Sequence, residues 1–427
     1  MPTPSPFIKV LKAVTFTILA VAVFVLGYYL KLKGIIISSI IIFAAILIGY
    51  GAEILELVLP SGVAIAIVAL LQICPEFFVE WATVKKAAFD PEFLHNAMAN
   101  LYGANKLLVG FGPPLVFFVY YFFSPSKKNS YIRLHKIKSY SIFVMIFAVM
   151  YNTIIYLKNS LMWYDSIILT AIYFGSVYFI GRMEIRYNKL KTEKGSAAED
   201  DDDDDNGPKI EDSAVEKLLH KFVLAGEKVI AYRAYIAAFV LLASGGALLV
   251  GFAEEFLECL LHAATAAGIS TFIFIGYVAP FMSEFPEKTV AIGYAMKGHE
   301  DTAMINFLSS ILAQLTLLTA MVPLAYSYYK GCLTGIVFDP MQSQELLLVI
   351  AMMLFSLMLF LDLKFTVRET VLALGLFIWQ FIFPESRDTV TKVYFVLFIS
   401  YLLEMILEKR HVDVIETVVK PRDGSVS

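Results

Sequence analysis

The feature that most narrows what this chain can become is a series of apolar runs, each about twenty residues long or longer. That is the length an α-helix needs to cross roughly 30 Å of hydrocarbon. The runs do not alternate in ten-residue units, which excludes barrel strands. Composition agrees: 59% of the 427 residues are hydrophobic and only 17% charged, against about a quarter charged in a soluble domain. The expected fold is an all-α polytopic membrane protein with spans at about 13–30, 34–59, 61–83, 92–123, 139–158, 163–181, 229–258, 268–297, 301–329, 345–361, 366–383 and 389–408, about twelve transmembrane helices. The first run follows Lys9 and Lys12 as a signal peptide would. It exceeds a signal core and continues into Lys31-Leu32-Lys33, so a retained helix is expected.

Basic residues divide unevenly between alternate loops. One side carries Lys9, Lys12, Lys127, Lys128, Arg133, Lys136, Lys138, Lys364, Arg368, Lys409 and Arg410 besides the run from Arg182 to Lys194; the other has Lys31, Lys33, Lys85, Lys86, Lys158, Lys330 and Arg387. The richer side is expected to be cytoplasmic, with both termini and the long central loop. That loop, 182–228, holds Glu199 and then Asp200 to Asp205, a density of like charge that stays solvated. It reads as a linker between halves, or as a weak cytoplasmic attractor of Ca²⁺. The run supplies more than the whole net charge of −4, so nothing suggests a nucleic-acid partner. Cys74, Cys259 and Cys332 are too few and too scattered for a disulfide framework or a zinc site.

A repeat crosses the linker. Gly49-Tyr50-Gly51-Ala52-Glu53-Ile54-Leu55-Glu56 reappears as Gly251-Phe252-Ala253-Glu254-Glu255-Phe256-Leu257-Glu258, Pro75-Glu76 as Pro286-Glu287, and Asn100 as Asn306. The two Pro-Glu copies lie on the third and eighth spans. An odd separation makes them cross in opposite directions, so two inverted-topology repeats of about five helices are expected, with peripheral helices added. The expected organisation is an extra helix at 1–33, a first half at 34–181 with its repeat at 61–123, the linker at 182–228, a second half at 229–383 with its repeat at 268–329, and a final helix and tail at 384–427.

Glu76 and Glu287 fall near the middle of their spans, where an ionised, unpaired carboxylate costs several kcal/mol and calls for a cation, a proton or a polar cavity. Each follows a proline, which frees a backbone carbonyl one turn earlier. Two such sites facing across a pseudo-twofold axis could supply the six to eight oxygens of a Ca²⁺ shell. The remaining candidates for that shell are Gln72, Asn100 and Asn105 in the first half and Ser283, Glu284, Asn306, Ser310 and Gln314 in the second. Ser310 and Gln314, four apart, share one helical face. The competing reading is polar packing between helices, which suits Asn105 or Gln314 but does not require an acid. The i, i+3 pairs Glu53/Glu56 and Glu255/Glu258 line a vestibule or snorkel to the interface, and Glu80, beside Trp81, reads as interfacial.

Cys74-Pro75-Glu76 followed by Ala99-Asn100-Leu101-Tyr102-Gly103-Ala104-Asn105, and Met282-Ser283-Glu284-Phe285-Pro286-Glu287 followed by Asn306-Phe307-Leu308-Ser309-Ser310, resemble the two alpha repeats of the calcium/cation antiporter superfamily, which includes the Na⁺/Ca²⁺ and H⁺/Ca²⁺ exchangers. Those repeats typically read Gly-Thr-Ser-Leu-Pro-Glu and Gly-Asn-x-x-Gly-Ser-Asn. The resemblance implies that Glu76 and Glu287 are the central Ca²⁺ ligands and that one helix pair slides to alternate access. It implies a secondary active antiporter with inorganic cations and bilayer lipid as its partners and no cofactor. Departures are equally specific: Gln72-Ile73 replaces Thr-Ser, Ala104 replaces serine, and Leu108 and Gln314 occupy later ligand positions. Glu284 is an additional acid. Losing first-half hydroxyls disfavours a multi-Na⁺ scheme and favours H⁺ as the counter-ion, because a carboxylate can trade a proton for a cation without that shell.

Other classes fit less well. His299-Glu300-Asp301 lacks the second histidine of a zinc protease, Tyr164-Asp165 lacks an aspartyl-protease partner, and Ser244-Gly245 lacks a base. A cation channel would need a filter loop, and a Na⁺/H⁺ exchanger on the same fold is the remaining alternative. One chain supplies both halves of a site, so a monomer suffices.

Overall fold

A computed structural model describes residues 33–58, 71, 73–124, 130–194, 227–407 and 414. The expected first span, the acidic tract, Gln72 and most of the 61–83 span before Cys74 lie outside the described residues. Among the described residues, eight helices are long and apolar enough to cross a membrane, and Thr271–Ser283 is a shorter apolar helix.

In chain order the first half contains α1 (Lys33–Val58), α2 (Cys74–Phe89), α3 (Leu94–Phe123), β1 (Tyr131–Arg133), α4 (Ser139–Leu157), β2 (Ser160–Met162) and α5 (Trp163–Lys194). The second contains α6 (Glu227–Ala267), α7 (Thr271–Ser283), α8 (Phe285–Met296), α9 (Glu300–Ala313), a π-turn at Gln314–Leu318, α10 (Thr319–Lys330), β3 (Gly335–Val337), α11 (Pro340–Phe360), β4 (Lys364–Thr366), α12 (Val367–Ile382) and α13 (Arg387–Leu407). The span expected over 268–297 is therefore two helices. Pro286 has no N–H to give to the Met282 carbonyl, so the ladder breaks at Glu284 and restarts at Phe285.

Two short antiparallel ladders tie the halves together. Tyr131–Arg133 pairs with Lys364–Thr366, and Ser160–Met162 with Gly335–Val337. The first-half strands flank α4 and the second-half strands flank α11, so these two packed helices run antiparallel and are clipped at both ends. The pairing tests the reading of sides. Lys136 and Lys364 belong to one end of the bundle, Lys158 and Lys330 to the other. Because α3 runs toward the first end and α10 toward the second, the two repeats are inverted, and α2 and α8 run to opposite faces.

A large apolar cluster is built from α3, α4 and α9 to α13, with Phe117, Phe307, Phe355 and Phe365 fully buried in it. A second cluster forms where α1 packs along α6, joined by Val79 of α2 and Ala279 of α7. Close approach binds α1 to α6: a Cβ on Gly245 would meet the Ala44 carbonyl at 2.7 Å. The outer surface is apolar, with Phe239 71% and Leu157 74% exposed, as lipid contact requires. Asp165, half of the protease-like pair, is buried and bonded to Lys158, to the Tyr151 hydroxyl (2.7 Å) and to the Met162 N–H (2.6 Å), a loop anchor beside β2.

Candidate cation-binding site

The site begins with two helices that start inside the bundle. Pro75 and Pro286 stand in the first turns of α2 and α8, where a missing N–H costs nothing. The remaining first-turn N–H groups and the helix dipole favour negative charge there. Glu76 and Glu287 occupy those first turns and are only 2% and 3% exposed. Glu284, 2% exposed, sits in the break between α7 and α8.

Gln314 joins the halves. It is fully buried at the start of the π-turn, a wider turn in which the Thr319 hydroxyl donates to the Gln314 carbonyl at 2.9 Å. Its Nε2 donates to Glu76 Oε2 at 2.5 Å and to Glu284 Oε1 at 2.9 Å. A single amide thus bridges an acid of the first half and an acid of the second. The other oxygen of Glu284 accepts from the Lys288 ammonium. Glu76 lies within electrostatic reach of Glu284, Glu287 and Lys288, and Ser310 lies beside the Glu287 carboxyl. Glu76 Oε1, Glu287 Oε2 and Gln314 Oε1 are buried acceptors without a partner. Oxygen acceptors deprived of donors suit a hard cation. Among the described residues no group of three His, Cys, Asp or Glu side chains is gathered for a metal.

The ten predicted residues therefore meet only in part. Glu76, Glu284, Glu287, Ser310 and Gln314 come together. Asn306 is half-buried one turn before Ser310 on α9. Asn100 donates to Glu80 Oε2 at 2.5 Å instead of to Glu76, leaving its own Oδ1 without a partner. Asn105 donates to the Leu101 carbonyl of its own helix at 2.9 Å, its Oδ1 likewise unpartnered. The Ser283 hydroxyl donates back to Ala279 and Pro280 carbonyls. Gln72 lies outside the described residues.

Glu80 is not interfacial. It is fully buried against Asn100, because α2 starts mid-bundle and its second turn is still enclosed by α3. Sequence reasoning also passed over Lys288, although a lysine four residues after Glu284 in an apolar span was a visible signal. A further buried cluster joins Lys106 of α3, Glu345 of α11 and Arg387 of α13, the last at 2.9 Å. Residues far apart in sequence make it, so no local pattern announces it. Among the glutamate pairs, Glu255 reaches Lys33 at 3.4 Å and Glu258 is exposed, near the end of α6.

The chain matches the sodium/calcium exchanger protein family over residues 30–182 and 237–384. Its structure is similar to that of the H⁺/Ca²⁺ exchanger CAX, at 26% identity and a TM-score of 0.78, over 95% of this chain and 96% of that one. Native YfkE (15% identity, TM-score 0.52, 86% of this chain and 98% of that one) and the sodium-calcium exchanger NCX_Mj (17%, 0.51, 84% and 99%) share the fold. No curated protein matches the sequence.

Proposed function

The chain belongs to the sodium/calcium exchanger family, matched across both halves, and from that premise we propose that it is a secondary active antiporter that exchanges Ca²⁺, or a related divalent cation, for H⁺ by alternating access. The observation that carries the reading is the Gln314 bridge: acids from two inverted repeats converge on one buried amide, with unpartnered oxygens around it. Glu76 and Glu287 are the proposed central ligands. Glu284, Ser310 and Gln314 complete the inner group, and Gln72, Asn100, Asn105, Ser283 and Asn306 are outer candidates that enter the shell when a cation draws the helices in.

Three observations support H⁺ over Na⁺ as the counter-ion. The first-half hydroxyls that would favour Na⁺ are replaced by Ile73 and Ala104. Ser283 turns its hydroxyl into its own helix. The chain also resembles the H⁺/Ca²⁺ exchanger CAX over nearly its whole length. Alternating access is assigned to the α1–α6 pair, whose contact forms a second apolar cluster beside the larger one. The termini and the acidic linker are assigned to the cytoplasm by the excess of Lys and Arg at the β1–β4 end. Purified protein in vesicles tests the reading: a pH gradient imposed at constant Na⁺ should drive Ca²⁺ uptake. Uptake driven only by a Na⁺ gradient refutes the proton assignment, and currents of channel size refute exchange.

A further inference from the structure

Lys288 has no counterpart in the first half. Superposing Glu76 on Glu287 sets Lys288 against Phe77 and Glu284 against Ile73. An additional acid and an additional base thus occur together, one helical turn apart, in the second half alone. Glu284 and Lys288 are 2% and 4% exposed. The ammonium donates to Glu284 Oε2 and lies 5.4 Å from the Phe281 ring centroid.

Among the described residues, the charged groups that face this pair are few. Glu76 approaches from α2, Glu287 from the same helix, and the neutral Gln314 and Ser310 from α9 and the π-turn. Glu80 faces Asn100 instead. Three carboxylates against one ammonium give the site a formal charge of −2. One divalent cation neutralises that charge, as two protons do. Without Lys288 the site would need a third monovalent charge in every cycle, since an uncompensated carboxylate is costly within the bilayer. A tethered ammonium is always at hand and loses no translational freedom on binding.

We propose that Lys288 is an internal cation that takes the place of one transported monovalent ion at Glu284, and so sets the capacity of the site at one divalent charge. The inference rests on the antiporter reading above. A mere helix staple would make the same contact, so the test must read charge. In vesicles clamped at defined pH and potential, the Ca²⁺ ratio at which net counterflow stops, followed as the potential is varied, gives the charge moved per cycle; for the parent, which trades two protons for one Ca²⁺, that ratio should not depend on potential. Lys288→Met should make it depend on potential with the slope of one elementary charge, and Glu284→Gln with that slope in the opposite sense. The double variant Glu284→Gln/Lys288→Met keeps the charge at −2 and should be indifferent to potential, like the parent, whatever its rate. Purified Lys288→Met should also bind Ca²⁺ at least tenfold more tightly, because a repelling ammonium has gone. A structural lysine predicts weaker binding.

Single variants whose Ca²⁺ ratio at zero net flux is as indifferent to potential as the parent's, or weaker Ca²⁺ binding by folded Lys288→Met, overturn the proposal. If the single variants do not fold, a potential-dependent ratio in the double variant overturns it, and indifference to potential supports it. Failure of the parent chain to couple any gradient to Ca²⁺ movement sinks the antiporter reading instead, so the two failures are distinguishable.

Discussion

Gly103 is where α3 and α7 come closest, and its substitution by alanine gives a perturbation whose size follows from the geometry. A Cβ placed on Gly103 would stand 1.6 Å from the Gly276 carbonyl oxygen and 2.5 Å from its carbon. Ordinary contact begins near 3.4 Å, so the helices must part by about 1.8 Å at the crossing, the difference between these two distances. Backbone atoms on the far side cannot rotate away as a side chain would. Overpacking costs about 1–3 kcal/mol where side chains can adjust. Here about 3 kcal/mol is the lower expectation, more than a hundredfold in the folded ratio. Since α7 ends at Ser283 and Glu284, the same displacement pulls Glu284 away from Gln314. Gly103→Ala should therefore lower the melting temperature in detergent and abolish counterflow in vesicles. Gly175→Ala is the control: nothing lies within 4 Å of that Cβ, and a helical alanine gains about 0.5–1 kcal/mol over glycine. A Gly103→Ala protein that melts and transports like the parent would refute the α3–α7 crossing.

Substitutions at three other positions test separate parts of the molecule. Gln314→Leu removes the amide donor bonded to Glu76 Oε2 and leaves buried carboxylate oxygens unsatisfied, which should cost about 1–3 kcal/mol and show as a lower melting temperature with at least tenfold weaker Ca²⁺ binding. Glu345→Met removes the acid shared by Lys106 and Arg387 and leaves two buried cations unpaired, which should destabilise by about 3–5 kcal/mol in detergent unfolding. Glu80→Gln keeps an oxygen to accept from Asn100 and should preserve the fold, whereas Glu80→Ala strands that amide and should melt earlier by an amount matching about 1–3 kcal/mol.

Much of this architecture is legible in the sequence because two of its signals are one-dimensional. Apolar run length marks a span, and a proline followed by glutamate in both halves marks the inverted pair. The broken helix at Glu284 is harder to see, since Thr271 to Met296 is apolar enough to read as one span and, of its two prolines, Pro280 stays inside a helix and Pro286 marks the break. Pairings between distant residues are not readable in this way. Nothing near Gln314 shows that its amide will reach Glu76, and nothing near Asn100 shows that it will turn to Glu80. Glu80 itself was placed at the interface because Trp81 follows it. Trp81 in fact donates its Nε1–H to the Tyr329 hydroxyl at 2.8 Å, within the protein.

The central claim is that Glu76 and Glu287 carry the transported cation, and isosteric substitution measures it most directly. Glutamine at position 76 can still accept from Gln314, so Glu76→Gln should fold like the parent while losing one charge of the site. In vesicles with an imposed pH gradient, Glu76→Gln and Glu287→Gln, each verified as folded, should take up Ca²⁺ at no more than about a hundredth of the parent rate, the loss expected from removing a cation-borne interaction of about 3 kcal/mol. Full coupled uptake by either variant would contradict the assignment of the site.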